Sequence, residues 1–442
     1  MPLPSSLLLH ALCLPAMAVH AAEPAAFPPA RKTQECTPRT GWPHFFSKAR
    51  AEGEVHVAYL GGSITAQPGY RVKSLEHFRS TYPKATFKEI NAAIGGTGSD
   101  LGAYRIEHDV FGGKPDLLFV EFAVNDGGTA PEEIVRAMEG IVRKTWKQFP
   151  ACDICFVYTF TESLLPELQA GRLNRSAATM EVVADHYGIP SIHMGLEAVR
   201  LETEGKLLMR APEATLERVS GDALNKSAPV STGPDGKIPF SQDGVHPYLN
   251  TGHQLYVEAV IRSLPKLEGY SPAPHSLPAP LDLLNYENTA MVPLEKVTKT
   301  GPWTQLPADS SLSTKFSNRI GTLWKAEPGA ELSFKFKGHT AKLYDILGPD
   351  CGKLSVSIDG KVSERQRFDP YSTYSRLGTF TVGSELAPSS VHEVRIRVLA
   401  DPLDKGQILF ERNRGDFAKN PQKYEPHFWY AGALLLSGEL VP

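Results

Sequence analysis

Cysteine is scarce in this chain, and its scarcity excludes the small folds that disulfides hold together. There are five in 442 residues. Cys13 falls in an N-terminal apolar stretch, which leaves Cys36, Cys152, Cys155 and Cys351. Cys152-Asp153-Ile154-Cys155 has the form of a redox or zinc site, yet it runs straight into the apolar stretch Phe156 to Phe160 with no second ligand pair nearby. It reads as a structural bridge or as buried thiols, with no metal and no cofactor expected. Excess charge of one sign is also missing. With 46 basic against 49 acidic side chains, a formal net charge of -3 and no long run of either sign, nothing offers nucleic acid a footprint. Beyond the N-terminus no apolar run approaches membrane-spanning length, and no internal repeat or low-complexity tract is present. What remains is an ordinary globular composition, 41% hydrophobic and 21% charged, long enough for two domains.

The first residues form a leader of the export type. Leu7 to Ala18 is apolar, and Val19-His20-Ala21 supplies the small residues for cleavage after Ala21, although the start carries no Lys or Arg. Residues 1–21 are therefore expected to be a signal peptide and the mature chain secreted or periplasmic, with no membrane contact after its removal. Residues 22–263 alternate short apolar runs with helical patterns. Strands are expected at Glu54 to Leu60, Thr86 to Ile90, Asp116 to Val124, Ile154 to Phe160 and Ile189 to His193. Their continuous Val, Leu and Phe content suits a parallel sheet covered on both faces, giving a doubly wound, flavodoxin-like α/β domain. Thr129-Ala130-Pro131-Glu132 predicts a capping box opening a helix striped by Ile134, Met138, Ile141, Val142 and Trp146, which Pro150 stops. Residues 264–300 are rich in proline and read as a linker. Residues 301–442 alternate at period two, as in Glu331 to Lys337 and Val394 to Val398, and predict an all-β sandwich, jelly-roll-like.

Four segments of the first domain carry chemistry: Gly61-Gly62-Ser63-Ile64-Thr65, Gly95-Gly96-Thr97-Gly98-Ser99, Ala123-Val124-Asn125-Asp126 and Asp243-Gly244-Val245-His246-Pro247. Three of them begin where a strand is expected to stop, so they can meet at one edge of the sheet. A serine hydroxyl attacks a carbonyl only if a base takes its proton, and His246 is placed to be that base. Asp243, three residues earlier, can hold the imidazole in the required tautomer. The backbone N–H groups of Ser63 and of a glycine in the second segment, with the Asn125 side-chain amide, would then face the negative oxygen of the tetrahedral intermediate.

This pattern resembles the SGNH, or GDSL-like, hydrolases, a family named for Ser, Gly, Asn and His in four sequence blocks. Ser63 matches the first block, Gly96 the second with Gly95 as the alternative, Asn125 the third, and Asp243 with His246 the last. The resemblance spans roughly residues 50 to 262. It departs at Gly62, where aspartate is usual, and at Ala123, where glycine is usual. Tyr344 to Gly352 resembles, more loosely, a C-terminal sandwich attached to some secreted bacterial members that act in polysaccharide breakdown. Together these resemblances imply a serine esterase that needs no metal and removes small acyl groups, acetyl first among them, from an oligo- or polysaccharide.

Other readings remain beside this one. Gly96-Thr97-Gly98-Ser99-Asp100-Leu101-Gly102 also fits a nucleotide-binding turn of a dehydrogenase, although it follows the second strand rather than the first. The same acyl-enzyme would serve an O-acyltransferase, and an inactive hydrolase fold would serve as a carbohydrate-binding protein. Asp243, His246 and His253 are also possible metal ligands, with His253 more simply a packing or surface residue. Tyr70, Arg71 and Glu121 are candidates for the substrate cleft, Glu121 because an acid inside an apolar strand needs a reason to be there. Trp303, Trp324, Tyr371, Tyr374, Phe428 and Trp429 serve either as sugar-stacking rings or as core. Residues 197–242 are expected to cap the cleft.

Overall fold

The computed structural model describes residues 27–211 and 236–442. The expected leader and the middle of the expected cap lie outside the described residues. Strands β1 (Cys36–Thr37), β2 (Glu54–Gly61), β3 (Thr86–Asn91), β4 (Leu117–Glu121), β5 (Asp153–Tyr158) and β6 (Ser191–His193) form a six-stranded sheet in the order β1-β6-β5-β4-β2-β3. All neighbours are parallel except the short β1, which runs antiparallel to β6. Leaving β1 aside, this is the strand order of a flavodoxin-like doubly wound sheet, and its switch point lies at the carboxyl ends of β2 and β4. Every position of β4 and β5 is buried, which is why their sequences carry no polar alternation.

Helices α1 (Pro43–Arg50), α2 (Ser63–Ala66), α3 (Tyr70–Thr81), α4 (Ser99–Asp109), α5 (Pro131–Gln148), α6 (Leu165–Gln169), α7 (Arg175–Tyr187), α8 (Leu196–Thr203) and α9 (Gly252–Leu267) connect and cover the strands. On one face Ala58, Leu60, Leu118 and Val120 pack against α4, α5 and α7 through Tyr104, Met138 and Met180. On the other, Val57, Tyr59 and Phe119 pack against α1, α3, α8 and α9 through Phe45, Phe78, Ala198 and Tyr256. The capping box expected before α5 does not form. Ala130 is the N-cap without a side-chain bond, and Pro131, whose φ is preset and whose missing N–H costs nothing there, opens the helix. The described parts of the expected cap are α8, with Ala198, Val199 and Leu201 buried in the core, and the small parallel pair β7 (Leu207–Arg210) and β8 (Ile238–Ser241).

Strands β9 (Thr289–Pro293), β10 (Thr298–Thr300), β11 (Trp303–Gln305), β12 (Trp324–Ala326), β13 (Glu331–Leu347), β14 (Lys353–Ile358), β15 (Lys361–Gln366), β16 (Arg376–Gly383), β17 (Val391–Val398) and β18 (Trp429–Val441) form a ten-stranded antiparallel sheet. The long β13 pairs with β17 over its first half and β16 over its second, with β18 alongside, so one strand carries the sheet around its own core. It bends at Gly338, opposite Gly438, where a Cβ on either would fall 2.1 Å from a carbonyl oxygen of the partner strand. Strands β9 and β10 lie within the proline-rich stretch, and β9 pairs with β18. β18 is buried on both faces: Trp429, Ala431, Leu434 and Leu436 fill the β module, while Tyr430, Ala433 and Leu435 join the core around Tyr104 and Met138. The two halves of the chain thus share a hydrophobic core.

Candidate active site

The site is built at the switch point. β2 ends at Gly61, and the chain turns through Gly62, the N-cap of α2, so that Ser63 opens a short helix at the strand's carboxyl end. Crowding fixes both glycines. A Cβ on Gly61 would meet Thr65 Oγ1 at 2.6 Å, and one on Gly62 would fall 2.0 Å from Asn125 Oδ1. Asn125 begins the 3-10 turn Asn125–Gly128 that follows β4, which places its amide against the serine turn.

His246 reaches this turn from a distant loop. Its Nε2 lies 2.8 Å from Ser63 Oγ, and its Nδ1 lies 2.7 Å from Asp243 Oδ2. The other carboxylate oxygen, Oδ1, accepts the N–H groups of His246 at 2.8 Å and Val245 at 2.9 Å, so Asp243 organises the loop as well as the ring. Burial raises the Asp243 pKa, but the His246 ring and these two N–H groups outweigh it and leave the carboxyl below its usual range. The loop is pinned at Gly244, whose φ of +78° favours glycine. Its N–H donates to Ser241 Oγ at 2.8 Å, and its carbonyl accepts the Glu162 N–H at 2.8 Å. The aligned imidazole can take the serine's proton, and the carboxylate favours the imidazolium that results.

In the second glycine segment it is Gly95 that packs on Ser63, its Cβ position 3.5 Å from the serine Cβ. Gly96, with φ +73°, makes the turn behind it. Gly98 and Ser99 then open α4, and the buried carboxylate of Asp126 accepts the Ser99 N–H at 3.1 Å. Burial raises the Asp126 pKa to about 7. This contact counts against the nucleotide-turn reading, because the helix end where a phosphate would sit holds the protein's own carboxyl.

Tyr70, Arg71 and Glu121 are buried at 1%, 5% and 0% exposure, beneath the serine turn rather than in an open cleft. Their expected place against substrate is corrected accordingly: Tyr70 Oη bonds Thr65 Oγ1 at 2.7 Å, Arg71 Nε donates to the Thr65 carbonyl at 3.0 Å, and Glu121 accepts from Thr65 and Thr159. His253 is fully buried beside Gly69, with Nδ1 accepting the Tyr70 N–H at 3.2 Å and Nε2 facing Gln67 Oε1 at 3.1 Å. Burial depresses its pKa to about 3, with the nearby charge of Lys73 adding to the effect, so it is a neutral packing residue. Cys36, Cys152, Cys155 and Cys351 are buried free thiols, and burial pushes all four pKa values up. Among the described residues one group with metal-ligand side chains gathers, His44, Asp153 and His275, at the amino end of β5, away from the serine turn. There His275 bonds Asp153 and His44 bonds the Ala273 carbonyl. Beside the site, Gly96 to Leu101 and the β module enclose a cleft of about 410 Å³, lined on the module side by Gln366, Arg367, Asp369, Arg376 and Thr379.

Residues 59–247 match the GDSL-like lipase/acylhydrolase family. Among solved structures, the fold is similar to a two-domain esterase active on acetylated mannans, crystallised with mannopentaose. That likeness has a TM-score of 0.66 at 20% identity and covers 90% of this chain and 94% of the other. An acetylxylan esterase from Geobacillus stearothermophilus matches with a TM-score of 0.34 at 19% identity, over 48% of this chain and 94% of its own. Among curated proteins none matches the sequence.

Proposed function

We propose that this protein is an exported serine esterase that removes acetyl groups from a glycan through an acyl-enzyme. The observation that carries the reading is the unbroken line Ser63, His246, Asp243 at 2.8 and 2.7 Å. In the first half-reaction Ser63 Oγ bonds to the acetyl carbon while His246 Nε2 takes its proton. The carbonyl oxygen, now negative, faces the Ser63 N–H, a glycine N–H of the segment Gly95-Gly96 and the Asn125 amide. Collapse breaks the bond to the sugar oxygen, which leaves with the proton from His246. Water then repeats the sequence and frees acetate.

A glycan as the alcohol is supported by the polar cleft that begins at Gly96 and by exposed rings of the β module, among them Tyr371 beside the cleft residue Arg376. Tyr371 and Tyr374 are 47% and 54% exposed, whereas Trp429, another ring considered for stacking, is wholly buried. The activity of the similarly folded two-domain esterase on acetylated mannans points the same way. Export is supported by the apolar leader in the sequence, and no helix among the described residues is long and apolar enough to cross a membrane. The test is acetate release from acetylated oligosaccharides and from an aryl acetate. The wild type should turn over both, and Ser63→Ala should lose both. Full activity in Ser63→Ala would overturn the reading.

A further inference from the structure

Glu121 closes β4 at 0% exposure, and among the described residues no ion pair involves it. A buried carboxyl without a cation is costly, and burial does raise its pKa. What surrounds it is a set of donors. Oε1 accepts the Thr159 hydroxyl at 2.8 Å and Oε2 accepts the Thr65 hydroxyl at 2.9 Å. Because Thr65 donates its only hydroxyl proton to Glu121, its oxygen receives the bond from Tyr70 Oη, and the direction Tyr70 to Thr65 to Glu121 is set.

Each donor stands on a segment that makes the active site. Thr65 lies on the helix that Ser63 opens. Thr159 follows β5 and leads to Glu162, whose N–H holds the Gly244 carbonyl in the loop of Asp243 and His246. One acceptor-only group therefore ties the nucleophile's turn to the strand end on which the acid-base loop leans. A glutamine of the same size has a single acceptor oxygen and must present an N–H₂ to the other donor. Gly62 is held with its Cα against Asn125.

We propose that Glu121 is a positioning residue: by accepting from Thr65 and Thr159 it fixes the short helix that Ser63 opens, so that the Ser63 hydroxyl meets His246 and its N–H faces the reacting carbonyl. The inference rests on the esterase reading. A small misplacement of reacting groups costs on the order of 10²-fold, so Glu121→Gln should lower kcat on an aryl acetate by about 10- to 100-fold with KM little changed. The rate at which a fluorophosphonate labels Ser63 should fall in parallel. Thr159→Val, which removes one donor and leaves the carboxyl, should show the same split with a smaller fall in kcat, and reads the proposal even if Glu121→Gln does not fold. A wild type that neither turns over the aryl acetate nor takes the label would sink the esterase reading itself. An active wild type, with whichever of these variants folds keeping kcat within twofold of it, would overturn the role of Glu121 alone.

Discussion

At the scale of single residues, the site shows how few atoms decide the chemistry and how many hold them. Asn125 owes its place to Gly62, where even a methyl group would fall 2.0 Å from its Oδ1. Asn125→Ala should lower kcat by about 10²- to 10³-fold, the usual result of deleting one oxyanion donor, with a smaller effect on KM in steady-state assays. Its neighbour Asp126 gives a stability prediction. Burial raises its pKa to about 7 in the folded chain, far above the carboxyl range of the unfolded chain. Between about pH 4 and 7 the folded state holds a proton that the unfolded state has released, so stability falls as pH rises through that window. Relative to Asp126→Asn, the wild type should lose up to about 1.4 kcal/mol per pH unit there. Urea midpoints of the two proteins at a series of pH values measure this directly.

At the scale of elements, the serine turn is held by what lies beneath it. Helix α3 starts at Gly69 and Tyr70, directly on the ring of His253 from α9, where a Cβ on Gly69 would sit 2.2 Å from the imidazole. Gly69→Ala should push α3 from α9 and destabilise the fold by about 1–3 kcal/mol, as overpacking does, read as a shift in the urea midpoint. His253 adds an acid limit. Its pKa of about 3 lies below the unfolded value of about 6.5. Its contribution is therefore intact above that value and is lost as pH falls toward 3, because the unfolded chain alone takes up the proton. His253→Asn, which keeps an acceptor for the Tyr70 N–H, should flatten the acid side of the stability profile.

At the scale of the whole molecule, the β module is welded to the first domain. Lys342 Nζ lies 2.9 Å from Asp100 Oδ2, Arg319 donates to the Asn91 carbonyl at 3.0 Å, and Lys144 Nζ reaches the Thr289 carbonyl at 2.5 Å. With Tyr430, Ala433 and Leu435 buried beside Tyr104 and Met138, each half would expose part of its core without the other. Calorimetry should show one unfolding transition with equal calorimetric and van't Hoff enthalpies. Two separable transitions would show that the halves unfold independently.

Local sequence determined the strands, their parallel class and the period-two module, because buried β4 and β5 need unbroken apolar runs and β17 needs strict alternation. It also marked Ser63, Asn125, Asp243 and His246, since each stands in a short segment whose composition reflects its task. Only the tertiary structure decided which donors serve Glu121, with Thr65 and Thr159 lying 56 and 38 positions away. It alone turned Tyr70 and Arg71 inward, packed Gly95 rather than Gly96 on the serine, and joined β18 to both cores. Hydrogen bonds and packing across such distances are set by where folded elements meet, and no local pattern of residues records that.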